Sequence, residues 1–134
     1  MITRETDYAI RAMLYLAQQQ HTEVVSTTML AREMDIPYRF LRRILRRLGG
    51  VGFVASTRGA RGGLRLAQPA EDISLLDIIR AVDPNTIMLN ACLVDSSICQ
   101  RSPTCVVHAE LSGIQEDLLQ RMASAKLSGL VARC

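Results

Sequence analysis

The stretch STTMLAREMDIPYRFLRRILRRLGG, residues 26–50, decides the fold. It predicts a short helix capped by Ser26, followed by a longer helix that opens with Pro37 and stops at Gly49-Gly50. The letters DIP between the two helices leave room for a tight turn and nothing more. A short helix, a tight turn and a longer helix form the helix-turn-helix arrangement, which we therefore expect here.

The longer helix separates apolar and charged side chains by face. At about 100° per residue, its apolar arc consists of Leu41, Ile44, Leu45 and Leu48. The opposite arc carries arginines: Arg39, Arg42, Arg43, Arg46 and Arg47. Like charges at helical spacing repel one another, and a polyanion would neutralise them. The pattern therefore predicts a recognition helix that enters the major groove of DNA.

Residues 51–69, VGFVASTRGARGGLRLAQP, predict a β-hairpin with strands at 53–57 and 64–67. The turn RGARGG supplies Gly at three of its six positions, as a turn with positive φ requires. Arg58 and Arg61 at its tip would reach phosphates or the minor groove. A glycine-rich hairpin alone is a weak indication, but directly after a helix-turn-helix it predicts a wing.

Helices are predicted on both sides of this unit. TRETDYAIRAMLYLAQQQ, residues 3–20, begins with Thr3 as a cap and repeats its apolar residues at helical spacing. SLLDIIRAVDP, residues 74–84, begins with Ser74 and Asp77 in a pattern like a capping box. We therefore expect a winged helix-turn-helix DNA-binding domain over residues 1–84.

A cysteine-rich loop over residues 85–105 and a long helix over about 104–125 follow. The long helix carries one apolar stripe: Val107, Leu111, Ile114, Leu118, Met122 and Ala125. The stripe could pack back on the core, but pairing with a second copy explains its length better, because the helix is too long for so small a domain to cover. We assign residues 104–134 to a dimerisation helix and the C-terminal end. The fold class is then mainly α with a small β-hairpin, and a homodimer would present two winged helices to two DNA half-sites.

Composition and charge support a nucleic-acid partner. The chain has 134 residues, enough for one domain, and is 49% hydrophobic without Trp, which disfavours an aromatic-lined ligand pocket. Residues 1–67 carry 11 Arg and 5 Asp or Glu, a net charge of +6. Residues 68–134 carry 5 Lys or Arg and 8 Asp or Glu, a net charge of −3. The N-terminus does not look like a signal peptide and no run is long enough to span a membrane, so we expect a cytoplasmic protein without a membrane partner.

Three of the four cysteines lie in CLVDSSICQRSPTCVVH, residues 92–108. The pattern is C-x6-C-x5-C-x2-H, formed by Cys92, Cys99, Cys105 and His108. It lacks the C-x2-C knuckles of most zinc sites, and its wide spacing suits an iron–sulfur cluster. Three alternatives remain open: incidental small residues, a metal-free thiol-oxidation switch, and a His108 that merely lies on a helix surface. Cys134 lies away from the group.

The sequence resembles the IscR and NsrR group of bacterial winged-helix regulators, which carry an iron–sulfur cluster. The resemblance rests on TDYAIRAMLYLA, FLRRILRRLGGVGFVASTRGARGGLRLAQP, ISLLDIIRAVD and the three-cysteine loop. It implies homodimers that bind double-stranded operator DNA, with one cluster per subunit held at the end of the long helix. Cys92, Cys99 and Cys105 match the three thiolate ligands, although the first gap is six residues where five is usual.

The resemblance offers two fourth ligands. His108 matches the histidine that the IscR branch supplies to a 2Fe–2S cluster. Asp7 matches the aspartate that the NsrR branch supplies from the partner subunit to a 4Fe–4S cluster. The opening stretch is similar to NsrR, which favours Asp7 and 4Fe–4S, but a carboxylate in the first turn of a helix also complements the helix dipole. Arg42 stands where IscR-type proteins carry an acidic residue, which predicts a different operator.

We expect a homodimeric transcription regulator, a repressor and not an enzyme, whose cluster senses nitric oxide, oxidants or iron–sulfur supply. The expected DNA contacts are Ser26, Tyr38, Arg39, Arg42, Arg43, Arg46, Arg58 and Arg61. The alternatives are a metal-free winged-helix regulator that responds to cysteine oxidation or to a protein partner, a zinc-stabilised module, and a thiol redox enzyme. The enzyme, with Cys105 as nucleophile and His108 as base, is disfavoured because no C-x-x-C motif and no third residue to orient the histidine are present.

Overall fold

The computed structural model describes residues 2–19 and 25–134, which fold into a mainly helical protein with one small hairpin. The helices and strands are α1 (Arg4–Gln18), α2 (Thr27–Glu33), α3 (Tyr38–Gly50), β1 (Val54–Ser56), β2 (Leu64–Leu66), α4 (Leu75–Val82), α5 (Ala91–Val94), α6 (Val106–Ser124) and α7 (Leu127–Val131). The fold class expected from the sequence is confirmed. Gln20, the last residue of the predicted first helix, lies outside the described residues.

Side-chain caps fix the starts of three helices, as the sequence predicts. The Thr3 and Ser26 hydroxyls accept backbone N–H bonds at the starts of α1 and α2. Before α4, Ser74 and Asp77 form a reciprocal capping box, with N–O distances of 2.8 and 3.1 Å. Such caps satisfy N–H groups that have no partner within the helix, and each stabilises its helix by about 1 kcal/mol.

The turn between α2 and α3 is tight. The backbone N–H of Ile36 donates to the carbonyl of Ala31 at 2.9 Å, and Asp35 adopts a φ of 52°. This left-handed conformation is one that Asp tolerates better than most residues. Ile36 itself is buried, so the turn is anchored in the core and holds the two helices at a fixed angle.

The hairpin is antiparallel, with Val54 opposite Leu66 and Ser56 opposite Leu64. Both strands are shorter than predicted, β1 by one residue at each end and β2 by its last residue, although Ala67 still donates to the Phe53 carbonyl at 2.9 Å. The N–H of Leu64 also donates to the carbonyl of Val25 at 2.7 Å. The wing is thus fixed to the chain segment that leads into α2.

The core lies between α1, α3, α4 and the hairpin, and α7 closes it. Leu127 of α7 is fully buried there, and its N–H donates to the carbonyl of Ile73 at 2.8 Å. The N–H of Leu75 in turn donates to the carbonyl of Ala125 at 2.8 Å. The end of the chain, assigned from the sequence to the dimerisation unit, therefore packs on the winged-helix core in the same subunit.

The cysteine-containing segment is more structured than a loop. Between α4 and α6 it forms α5 and two single 3₁₀ turns, Ser96–Ile98 and Ser102–Thr104. The long helix α6 follows within two residues of its predicted start and one of its predicted end. None of the helices in the described part of the chain is long and apolar enough to cross a membrane.

Candidate functional site

Helix α3 has the two faces that the sequence predicts. Leu41, Ile44 and Leu48 are fully buried against the core. The five arginines of the opposite arc are all exposed: Arg39, Arg42, Arg43, Arg46 and Arg47. Apolar burial on one side fixes the helix to the domain, and this leaves the five arginine side chains on the other side accessible to solvent.

A shallow groove of about 230 Å³ runs between α2, α3 and the wing. Arg42 and Arg46 line it from α3, and Thr27 and Ser56 line it from α2 and β1. These two arginines have no salt bridge among the described residues. Their charges are therefore free to meet phosphates or guanine edges.

The other arginines of α3 contact the protein itself. The Arg43 Nε donates to the Glu5 carboxylate at 2.7 Å, and the Arg47 Nη1 donates to the carbonyl of Val82 at 2.6 Å. The Arg39 and Arg43 guanidinium groups lie 5.1 and 5.2 Å from the centre of the Phe40 ring. The structure thus orients Arg43 towards α1, although the sequence places it with the expected DNA contacts.

The remaining expected DNA contacts lie around this face. Tyr38 is 49% exposed at the start of α3. Ser26 is exposed and caps α2, so its hydroxyl already accepts a bond from Met29. Arg58 and Arg61 are exposed at the tip of the wing. Which of these side chains touch DNA stays a prediction.

The cysteine segment brings two of the expected ligands into contact with His108. The Cys92 Sγ lies 3.3 Å from the His108 Nδ1. The Cys105 Sγ accepts the backbone N–H of His108 at 3.4 Å and so caps α6. Cys99 is partly buried at the end of the first 3₁₀ turn. Within residues 2–19 and 25–134, no three His, Cys, Asp or Glu side chains are arranged to hold one metal ion.

Asp7, the alternative fourth ligand, lies on α1. Its carboxylate forms an ion pair with Arg11 one turn later, at 2.6 Å, and both side chains are about half exposed. An exposed pair of this kind contributes about 0–1 kcal/mol, so it is easily exchanged for another partner.

One carboxylate inside the cysteine segment has an altered acidity. The side-chain hydroxyl and the backbone N–H of Ser97 both donate to Asp95, and these bonds hold the pKa of Asp95 below its ordinary value. A negative charge therefore persists between Cys92 and Cys99 down to a lower pH than an isolated aspartate would allow.

Sequence reasoning missed two residues that the fold places in connecting roles. Gln115 is the one buried residue of α6, a helix that the structure describes in full, and both ends of its side-chain amide bond the segment before α5. Arg47 lies on the charged arc but bonds α4. No local pattern marks either residue, because their partners are 26 to 35 positions away.

Comparison with known proteins identifies the family. Residues 2–133 match Rrf2, described as an iron-dependent transcriptional regulator. CymR (YrzC), the global cysteine regulator of B. subtilis, superposes with a TM-score of 0.80 at 22% identity, over 100% of this chain and 98% of that chain. T. potens IscR gives 0.75 at 22% identity, over 99% and 87%. The oxidized form of Staphylococcus aureus CymR gives 0.73 at 23% identity, over 98% and 95%.

At these identities the solved structures show the fold alone, and that fold agrees with the winged helix expected from the sequence. The family match extends over nearly the whole chain and confirms the resemblance at the level of the family. This protein therefore belongs to the Rrf2 family of winged-helix transcriptional regulators.

Proposed function

We propose that this regulator is a homodimeric, cytoplasmic repressor whose affinity for operator DNA is controlled by an iron–sulfur cluster. The cluster would be held by Cys92, Cys99 and Cys105, with Asp7 of the partner subunit or His108 as fourth ligand. It would report nitric oxide, oxidants or iron–sulfur supply. The observation on which this proposal mainly rests is that Cys92 and Cys105 both contact His108 at the start of α6.

The basic face supports the DNA-binding part of the proposal. Arg42 and Arg46 project into a groove bounded by α3 and the wing, the two elements with which winged-helix proteins contact a duplex. The exposed arginines at the wing tip, Arg58 and Arg61, extend the same positive surface. Neutralising several phosphates would make the affinity fall steeply with salt.

The exposure of α6 supports the homodimer. Val107 is 60% exposed and Ile114 is 47% exposed, although both belong to its apolar stripe. Leu119 and Met122 pack on Leu76 and Ile79 of α4, so the stripe is covered within the chain at Met122 but left exposed at Val107 and Ile114. A second copy of the same helix has the matching apolar surface.

The donor chemistry supports the cluster. Three thiols and an imidazole in one short segment are ligands that iron–sulfur centres use, in contrast to the oxygen ligands preferred by magnesium or calcium. The Cys105 sulfur caps α6, next to the positive end of the helix dipole, which is a favourable place for a negatively charged group such as a cluster. When bound, such a cluster supplies reversible electron transfer and sensitivity to oxidants and nitric oxide.

The test is anaerobic purification with measurement of the absorption spectrum, iron and acid-labile sulfide. We expect a brown protein that fails to retain iron when any of Cys92, Cys99 or Cys105 is changed to Ala. The Cys134→Ala variant is the matched control, because that thiol is exposed beyond α7 and bonds only the carbonyl of Leu130 among the described residues.

The variants Asp7→Ala and His108→Ala identify the fourth ligand. Loss of iron only in Asp7→Ala favours a 4Fe–4S cluster ligated across the dimer, and loss only in His108→Ala favours 2Fe–2S. A colourless protein that takes up no iron during anaerobic reconstitution would refute the cluster. It would leave the DNA-binding regulator in place.

A second candidate is a metal-free regulator that responds to thiol oxidation. The observation that favours it is the 3.3 Å contact between the Cys92 Sγ and the His108 Nδ1, which places a thiol beside a basic ring. Hydrogen peroxide would take two electrons and two protons from two thiols, forming a disulfide and water. A reversible change in DNA affinity upon peroxide treatment of iron-free protein, abolished in Cys92→Ser, would support this candidate.

A further inference from the structure

Two hydrogen-bonded anchors lie on the segment that joins α4 to the cysteines. At its start, the Arg47 Nη1 of α3 donates to the carbonyl of Val82 at 2.6 Å. Near its end, the Gln115 Nε2 of α6 donates to the carbonyl of Ile87 at 2.8 Å, and its Oε1 accepts the N–H of Leu89 at 2.8 Å. Residues 82–89, hereafter the coupling segment, are therefore held by α3 at one end and by α6 at the other.

The anchor on α3 is a charged one. Val82 is the last residue of α4, where carbonyls have no partner within the helix and carry the negative end of the helix dipole. A guanidinium that donates to such a carbonyl makes a short, strong hydrogen bond. The Arg47 Nη1 also lies 3.8 Å from the Glu5 carboxylate, which holds the same side chain from α1.

The anchor on α6 is buried. Gln115 is 6% exposed, and its amide satisfies both a carbonyl and an N–H of the coupling segment. The side chain of Ile87, whose carbonyl accepts one of these bonds, packs with Leu76 and Ile79 and against Met122. Loss of the amide would leave the buried Ile87 carbonyl and the partly buried Leu89 N–H without this partner, so the amide holds this end of the segment in place on α6.

The coupling segment ends three residues before Cys92, and α5, which contains Cys92, begins at Ala91. Movement of Cys92 would therefore pull on a short segment whose other end is hydrogen-bonded to the recognition helix α3. Neither anchor requires a metal, so the link is the same whichever chemistry acts on the thiols.

We propose that Arg47 and Gln115 are positioning residues that couple the cysteine site to the recognition helix through the coupling segment. Arg47 then acts from the side of α3 that faces α4 and not as a phosphate contact. This inference rests on the proposed function, since it requires that the state of the cysteines alters DNA affinity. The coupling segment would be the route by which a change at the cysteines reaches α3.

The test compares DNA affinity in two states of the cysteine site. The probe is a fluorescent duplex selected by the wild-type protein from a randomised library, and anisotropy gives the affinity at matched salt. The two states are iron- and sulfide-loaded against stripped protein or, if no iron is taken up, reduced against peroxide-treated protein. Wild type should show a ratio of affinities of about fivefold or more, as typical coupling between two sites does.

The variants separate coupling from DNA contact. In Arg47→Met and Gln115→Met, which keep an unbranched side chain, we expect the ratio to fall below about twofold. Arg47→Lys keeps a donor for the Val82 carbonyl and should restore much of the ratio. Arg46→Met is the matched control, because Arg46 is the neighbouring arginine that lines the DNA-facing groove. It should weaken both states equally, keep the ratio, and lower the salt slope by about one.

The outcomes distinguish failure of the proposed sensing function from failure of the proposed coupling. A wild-type ratio near one would overturn the sensing function and the coupling together. A clear wild-type ratio that persists in Arg47→Met would overturn the coupling and leave the function standing. A salt slope that falls by about one in Arg47→Met, as expected in Arg46→Met, would make Arg47 a phosphate contact instead. Thermal unfolding confirms that each variant is folded, and if Gln115→Met fails to fold, the two Arg47 variants still decide.

Discussion

The winged-helix core and helix α6 differ in how much apolar surface one chain covers. Leu30, Leu41 and Ile44 of the former are fully buried. In α6, which the structure describes completely, one polar residue is buried, whereas Val106 is 82% exposed and Val107 is 60% exposed. The first region thus covers its apolar side chains within a single chain, whereas the second leaves apolar side chains of its N-terminal half exposed. Exposed apolar patches of this kind commonly mark an interface.

The largest effect should come from placing a charge on the uncovered stripe. Ile114→Asp puts a carboxylate where we expect apolar contact with the partner, and burying an unpaired charge is costly. We expect the dissociation constant of the dimer to rise by at least about tenfold, measured by sedimentation. Gln120→Asp, the same charge on another face of α6, is the control, and an equal effect there would argue against the stripe as the interface.

The next largest effect is a difference in DNA affinity between substitutions of two arginines on the charged face of α3. Arg42→Ala removes a guanidinium from the groove beside the wing and should weaken binding to the selected duplex by about 1–3 kcal/mol. Arg43→Ala removes one that pairs with Glu5, and we expect a loss below about 1 kcal/mol. Anisotropy titrations at one salt concentration measure both. Equal losses would show that the ion pair with Glu5 opens on DNA.

Two glycine substitutions should change stability in opposite directions. In Gly62→Ala the added methyl group would overlap the Thr57 carbonyl, so the wing must distort, at a cost of about 1–2 kcal/mol. In Gly113→Ala no described atom outside the adjoining residues and the nearby backbone of α6 lies within 4 Å of the new methyl group, and a helix interior prefers Ala to Gly by about 1 kcal/mol. Denaturant unfolding at a fixed protein concentration checks both signs. Stabilisation by Gly62→Ala would mean that the wing turn differs from the one described.

The smallest effect concerns the cysteine segment. Ser97→Ala removes the hydroxyl that donates to Asp95, and the pKa of Asp95 should rise towards its ordinary value. Because the pKa of Asp95 is depressed in the folded protein, this hydrogen bond stabilises the fold above the ordinary pKa of aspartate. The stabilisation is lost as the pH falls through the folded-state value. A carboxyl NMR titration of both proteins measures the shift, and an unchanged pKa would exclude the hydroxyl as its cause.

Local patterns predicted most of the fold but not the contacts between its parts. Caps at Thr3, Ser26 and Ser74, the two faces of α3 and the position of α6 all follow from spacing over a few residues, and the structure confirms them. The pairing of Arg43 with Glu5 does not follow from local spacing, because 38 positions separate the two residues. The contact of α7 with the core likewise depends on a chain reversal after α6. The sequence places Cys92 and His108 in the same short segment, but it does not predict the direct contact between their side chains.

The two ends of α6 are fixed to very different degrees. At its C-terminal end, the N–H of Leu75 donates to the carbonyl of Ala125 and the N–H of Leu127 donates to the carbonyl of Ile73, and these bonds hold the helix on the core. At its N-terminal end, Val106 and Val107 face outward. The backbone bonds around Lys126 therefore form the natural pivot of α6, and Gln115, which lies between the two ends, would carry any tilt of the helix to Ile87 and Leu89. The 19 residues of α6 span about 28 Å, so a tilt of about 5° would displace the cysteine end by roughly 2.4 Å while barely moving α7.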